Sequence, residues 1–155
     1  MMSIKIRKTL VSDAKNIVLL IRSLGWFTAL AEEPLEVTTR RLETKLVEYE
    51  KDSHSAYVAV DDQGVLAGYT TVQWMPCLFL PGCEGYVSEL FLSADFRGQG
   101  IGTHLMDAIK EEGKKRGCTR LMLINNKTRE SYAREFYKKN GWTEREQMAN
   151  FIFVL

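Results

Sequence analysis

GYVSELFLSADFRGQGIGTH, residues 85–104, runs from an apolar stretch into three glycines within five positions, Gly98, Gly100 and Gly102, and out into a segment of helical periodicity. Residues 85–93 read as a central strand. Ile101, Leu105 and Ile109 define a helix running to Gly117, with Lys114, Lys115 and Arg116 complementing the negative end of its dipole. Glycines between a strand and a helix let the backbone come close to a ligand, and the free N–H groups of the first helical turn point at whatever sits there. The fitting guest is a phosphate or pyrophosphate. Arg97 stands at the mouth of the turn, and Thr103 adds a hydroxyl to the amides of Gln99, Gly100, Ile101 and Gly102. The dipole contributes only about 0.3–2 kcal/mol, so charge-assisted hydrogen bonds must supply most of the hold. A tight strand-to-helix connection that binds nothing would read the same way.

Three phosphate-binding loops compete for this turn. A nucleoside-triphosphatase loop needs G-x-x-x-x-G-K-[ST], and no Gly-Lys-Ser or Gly-Lys-Thr occurs in the chain. The dinucleotide fingerprint G-x-G-x-x-G fits Gly98 and Gly100 but requires glycine where Thr103 stands, and the next strand ends in Asn125-Asn126 where an acid is expected. The third pattern, R-x-x-G-x-G, is met by Arg97, Gly100 and Gly102.

Outward from the turn, SIKIRK (3–8) alternates as an opening strand, and Ser12 caps a helix carrying Ile17, Leu20, Ile21 and Leu24 that stops at Gly25. Residues 26–37 read as a connecting loop, and a second helix starts near Thr39 with Leu42, Leu46 and Tyr49 on one face. SAYVAV and VLAGYTTVQW form a hairpin about Asp61–Gly64, followed by the apolar loop MPCLFLPGC (75–83). TRLMLIN is another strand, Thr128 opens a last helix ended by Asn140-Gly141, and WTEREQMANFIFVL closes the chain as a hairpin. The order predicts a mixed α+β protein, one sheet with helices on both faces.

Composition narrows the function classes. At 155 residues the chain reads as a single domain, 1–155, that needs no staple. Twenty-one Lys and Arg balance twenty Asp and Glu, so no global field favours nucleic acid or an anionic membrane surface, and no apolar run nears the ~18 residues of a membrane span. Cys77, Cys83 and Cys118 contain no C-x-x-C pair, and His54 and His104 lie far apart, so no metal site is expected. The odd cysteine count and the absence of a leader pattern predict a reducing, cytoplasmic setting.

With VSELFLSADF before R-x-x-G-x-G and AREFYKKNGW (133–142) after it, the chain resembles the GCN5-related N-acetyltransferase (GNAT) family over its whole element order, most strongly from Gly85 to Trp142. The resemblance implies an acyl-CoA N-acyltransferase fold, with a central, mostly antiparallel mixed sheet of about seven strands and about four helices. It implies acetyl-CoA as donor, with its pyrophosphate on the amides of Arg97, Gly98, Gln99, Gly100, Ile101 and Gly102 and with Thr103 close by. The pantetheine would lie along backbone at Leu90, Phe91 and Leu92, where an unpaired strand edge suits its amides.

An amine of pKa near 10.4 is neutral in only about one molecule in 2,500 at pH 7, so the acceptor must lose a proton before it attacks. Glu89, a carboxylate within an apolar strand, matches the position of the family's glutamate base, acting directly or through water. The alternative is a structural ion pair with Arg97 or Arg134. Tyr137 matches the tyrosine that meets the departing sulfur, against a plain packing role beside Phe136 and Ala133. A backbone N–H near Leu90 or Phe91 is expected to polarise the thioester carbonyl. The family's asparagine is replaced by Glu130, with Asn125 and Asn126 as nearby substitutes for its contact to the pantetheine.

The resemblance puts the acceptor, a small-molecule or peptide amine, against residues 25–37 and 74–85. There Trp26, Phe27, Trp74 and Phe79 are expected to form an aromatic wall, and Glu32, Glu33 and Glu36 to attract a cation, unless these acids are only a solvated loop. Two further readings stay open: a coenzyme A-binding sensor without turnover, and a homodimer that buries MPCLFLPGC and FIFVL.

Overall fold

The computed structural model describes residues 3–155, which divide into two compact units meeting in sequence at Met122 and Leu123. The first is built on a sheet of five strands, β1 (Ile4–Lys8), β2 (His54–Asp61), β3 (Leu66–Met75), β4 (Glu84–Leu92) and β5 (Arg120–Leu123), in that spatial order. The pairings from β1 to β4 are antiparallel. The β2–β3 hairpin closes because Asp61 Oδ1 accepts from the backbone N–H of Gln63 (2.9 Å) and Val65 (2.8 Å) while Gly64 takes a left-handed φ of 79°.

Helices cover both faces of the sheet. On one, α1 (Ala14–Ser23) presents Ile17, Leu20 and Ile21, and α3 (Leu35–Glu48) presents Leu46, to Val58 and Tyr69. On the other, α4 (Ile101–Lys115) lays Ile101 and Leu105 on Ala59 and Ala67. Leu105 is fully buried, so its truncation to alanine costs about 2–5 kcal/mol. The short α2 (Thr28–Glu32) lies inside the segment expected to be a loop, and α3 starts at Leu35 rather than near Thr39 because Pro34, with φ −55°, supplies the carbonyl for its first turn. Ser12 does not cap α1. A 3-10 turn over Val11–Asp13 precedes that helix, and the Asp13 carboxylate takes Leu10 N–H (2.8 Å) and a bidentate pair from Arg7 (2.7 and 2.8 Å).

Two devices fasten α4 to the sheet. Glu112 accepts hydrogen bonds from Lys8 Nζ, Ser55 Oγ, Tyr57 Oη and Arg116 Nε at 2.5–2.9 Å. Burial alone would raise its carboxyl, but these four donors bring it down to about 2. Beyond the helix, a disulfide joins Cys83 to Cys118 and is flanked by Thr119 N–H on the Cys83 carbonyl (2.8 Å). The odd cysteine count did not anticipate this pairing, which depends on the end of loop 76–83 meeting the end of α4.

The second unit, from Leu123, holds α5 (Glu130–Ala133) and α6 (Phe136–Lys139). The single last helix expected from Thr128 is broken at Glu135, whose φ of 57° is the one left-handed value among the described non-glycine residues. Residues 142–155 form turns and irregular chain rather than a hairpin, with Phe151 to Leu155 exposed. β-Propensity without a paired edge does not produce a strand. The described sheet therefore has five strands instead of about seven, and the described helices number six instead of about four.

Candidate functional site

The glycine turn has the geometry its sequence predicts. After a 3-10 turn over Ala94–Phe96 and an extended Arg97, Gly98 (φ 74°) and Gly100 (φ 77°) take left-handed conformations that cost other residues about 1–2 kcal/mol each. Gly100 is the N-cap of α4, and the first intrahelical bond runs from His104 N–H to its carbonyl at 3.1 Å. The amides of Ile101, Gly102 and Thr103 thus have no helical partner. Among the described residues, those of Gly98, Gln99 and Gly100 donate to nothing either. Buried Ile101 and Gly102 anchor the turn from below, and Gln99 Nε2 folds back onto the Asp95 carbonyl at 3.2 Å. Arg97 is exposed and forms no ion pair among the described residues.

The strand leading into this turn has an open flank. β4 has nine residues and its neighbour β5 four, and the Thr119–Cys83 hydrogen bond starts the two at one level. β5 therefore ends near the middle of β4, leaving the flank of Leu90, Phe91 and Leu92 without a strand beside it among the described residues.

β4 also carries a bulge. Thr71 pairs with Glu89 and Val72 with Val87, so Ser88 has no partner. Period-2 alternation puts Val87, Glu89 and Phe91 on one face. The bulge instead sends Val87 to the α4 side while Glu89 and Phe91 stay on the α1–α3 side with Thr71 and Tyr69. The ion pair of Glu89 with Arg97 is not formed, and its partner is the Tyr69 hydroxyl, which donates to Oε2. Burial, then the Glu89 charge and its hydrogen bond, push the Tyr69 hydroxyl far up, and burial and the same carboxylate raise Tyr49. Thr71 Oγ1 and Ser88 Oγ bond each other at 2.9 Å, and Thr70 Oγ1 donates to the Glu89 carbonyl at 2.7 Å. Oε1 of Glu89 has no hydrogen-bond partner among the described residues.

Beside the carboxylate lie four rings. Phe91 meets Trp26 (5.9 Å), Phe27 (5.7 Å) and Tyr69 (5.7 Å) edge to face, and Trp26 meets Phe27 at 6.5 Å. Trp74 and Phe79 do not join them. Trp74 is 7% exposed against Gly85, with its indole N–H on Ser55 Oγ (3.0 Å), and lines a separate open cleft with Asp52, Cys83, Glu112 and Arg116. Phe79 stacks under the Arg120 guanidinium at 5.6 Å. Of the three acids, Glu33 is held by both guanidinium nitrogens of Arg41. Tyr69, the bulge at Ser88 and the ring of Phe91 escaped the sequence reading, since they depend on the β3–β4 register, which no local pattern encodes.

In the second unit, Tyr137 lies in the first turn of α6, its ring 5.0 Å from Phe136 and 6.1 Å from Trp142, and burial pushes its hydroxyl up to about 12. Asn126 uses Oδ1 to close a turn, accepting from Thr128 N–H (2.9 Å) and Oγ1 (2.8 Å). Asn125 Oδ1 accepts from Ser131 Oγ, and Glu130 is exposed at the start of α5. Among the described residues no group of three or more His, Cys, Asp or Glu could hold a metal ion, and no helix is long and apolar enough to cross a membrane.

A family model described as "Acetyltransferase (GNAT) family" matches residues 23–142. An uncharacterized N-acetyltransferase of Methanocaldococcus jannaschii is 39% identical over 69 residues, a match spanning 43% of this chain but only 29% of that protein. Among solved structures, a ribosomal-protein-alanine N-acetyltransferase from Brucella melitensis biovar Abortus is similar at 20% identity and TM-score 0.74, covering 99% of this chain and 100% of that one. Glucosamine-6-phosphate N-acetyltransferase from Arabidopsis thaliana matches at 22% identity and TM-score 0.75, covering 98% and 99%. An aminoglycoside N-acetyltransferase in complex with CoA matches at 17% identity and TM-score 0.75, covering 100% and 97%.

Proposed function

The chain belongs to the acetyltransferase (GNAT) family, and on that premise we propose that it is an acetyl-CoA-dependent N-acetyltransferase acting on a primary amine of a small molecule or peptide. The observation that carries the reading is the start of α4: two left-handed glycines and a run of unbonded amides beside Arg97, all inside the matched residues. Such a turn holds a pyrophosphate through backbone donors and the positive end of a helix. The open flank of β4 at Leu90, Phe91 and Leu92 offers amide partners to the pantetheine. With Glu130 standing where the family has asparagine, Nδ2 of Asn126 is the candidate donor to that arm, because its Oδ1 alone is used in closing the turn.

In this proposal Glu89 takes a proton from the ammonium, directly or through water. The amine nitrogen then attacks the thioester carbonyl carbon, whose developing oxyanion is met by a backbone N–H near Leu90 or Phe91. As the carbon–sulfur bond breaks, the nitrogen gives up its second proton, the sulfur takes one up, and the amide and coenzyme A thiol leave. Tyr137 keeps its proton at neutral pH, so it serves as a hydrogen-bond donor to the departing sulfur. Both units act as one domain, 1–155, and the setting is cytoplasmic, where reducing thiols would meet the Cys83–Cys118 bond. A homodimer is part of the same proposal, supported by the exposed side chains of Leu78 and Phe79.

Calorimetry of the full chain with coenzyme A tests the premise, with micromolar binding expected and no binding overturning it. Thiol release from acetyl-CoA that depends on added amine separates the enzyme from a coenzyme A-binding sensor, which would bind without turnover.

A further inference from the structure

We infer that the acceptor carries one positive charge on an apolar, preferably aromatic, carbon body, and that Trp26, Phe27 and Phe91 are the specificity-determining residues that receive this body while Glu89 meets the ammonium. The inference rests on the acetyl-transfer reading above.

The juxtaposition is specific. Tyr69 belongs to both halves of the arrangement, its ring packed on Phe91 and its hydroxyl on Glu89. An apolar surface and a carboxylate are therefore adjacent on one sheet face. Trp26 and Phe27 are each 40% exposed, although both pack on Phe91, so their apolar surface is held in place without being consumed by the core. Ring surface left exposed in this way packs against an apolar body.

The surroundings discriminate among amines. A polyamine needs several carboxylates; of the acids that follow Phe27, Glu33 is neutralised by Arg41, Glu32 ends α2 and Glu36 lies in the first turn of α3, while the Arg22 guanidinium is bonded to the Glu33 carbonyl (2.6 Å) and Thr38 Oγ1 (2.8 Å). The Arg22 guanidinium, bonded to a carbonyl and a hydroxyl and to no carboxylate among the described residues, repels a second ammonium. An amino sugar needs hydrogen-bond partners for several hydroxyls, whereas the hydroxyls beside Glu89, those of Tyr49, Tyr69, Thr71 and Ser88, are engaged with one another or with the carboxylate. What the site retains is one carboxylate oxygen without a partner among the described residues, next to aromatic carbon.

The test compares 2-phenylethylamine, spermidine and glucosamine as acceptors for the full-length protein with acetyl-CoA, reading thiol release, alongside calorimetry with coenzyme A. We expect kcat/KM for 2-phenylethylamine to exceed the other two by about tenfold or more. Trp26→Ala and Phe27→Ala should raise its KM about tenfold, with kcat within about threefold and coenzyme A affinity unchanged. If an alanine variant fails to fold by circular dichroism, Trp26→Leu or Phe27→Leu takes its place, with a KM increase again expected. Coenzyme A binding with spermidine or glucosamine preferred, or with KM indifferent to Trp26 and Phe27, overturns this inference alone. Absence of coenzyme A binding overturns the acetyl-transfer reading and this inference with it.

Discussion

The hydroxyl of Tyr69 donates to Oε2 of Glu89, reaching from β3 to a residue two positions along β4 from its own pairing partner, Phe91. The bond orients the carboxylate and leaves the opposite oxygen available. Tyr69→Phe removes the donor and keeps the ring contact with Phe91. Steady-state kinetics should give a kcat lowered by about 3- to 30-fold with coenzyme A affinity intact.

Replacing the carboxylate itself should cost far more. Glu89→Gln keeps the shape of the side chain and abolishes its ability to take a proton, so turnover is expected to fall by about 10²–10⁴ while acetyl-CoA binding by calorimetry is unchanged. A variant with an unaltered rate across the pH profile would remove Glu89 from the mechanism.

Tyr137 makes a prediction about alkaline pH. Burial raises its hydroxyl to about 12, so the donor persists through neutral pH and is lost only as pH rises through that value. Tyr137→Phe should lower kcat at every pH without introducing a new titration below about pH 10, and thermal unfolding should be little changed because the ring contacts with Phe136 and Trp142 remain. An equal rate would leave only the packing role.

Acid should loosen α4 from the sheet. Glu112 is held at about 2 in the folded protein, below the ordinary 4.5, so its stabilising contribution is fully present above about pH 4.5 and is lost as pH falls from there through 2. Urea midpoints measured at pH 7 and pH 3 should differ, and Glu112→Gln should narrow that difference.

The Cys83–Cys118 bond spans 35 positions of chain, a loop for which chain entropy predicts about 3–4 kcal/mol of stabilisation. Reduction, or Cys83→Ser, should lower the denaturation midpoint accordingly. An unchanged midpoint after reduction would mean that the bond contributes nothing measurable.

Legibility in the sequence followed how local each cause is. Gly98 and Gly100 were readable because a left-handed turn and a helix start are written within a few residues, and the same holds for the hairpin at Asp61–Gly64. The four aromatics expected to form one wall do not all meet. Trp26 and Phe27 meet at Phe91, whereas Trp74 goes to Gly85 and Phe79 to Arg120, since a ring's partners depend on strand pairing that composition does not carry. The break before Tyr137 was invisible because Glu135 adopts a glycine-like conformation with no glycine or proline to announce it. The disulfide joins residues that only the finished fold brings together.

Ser88 invites a different kind of consequence. Removing it would let Thr71 and Val72 pair with Glu89 and Val87 in unbroken succession, and every neighbouring side chain would still point to the layer it occupies now. The extra residue is thus dispensable to the hydrophobic layers, and the kink it introduces belongs to the course of the strand alone. A single in-frame codon deletion could straighten that course without costing the chain its fold.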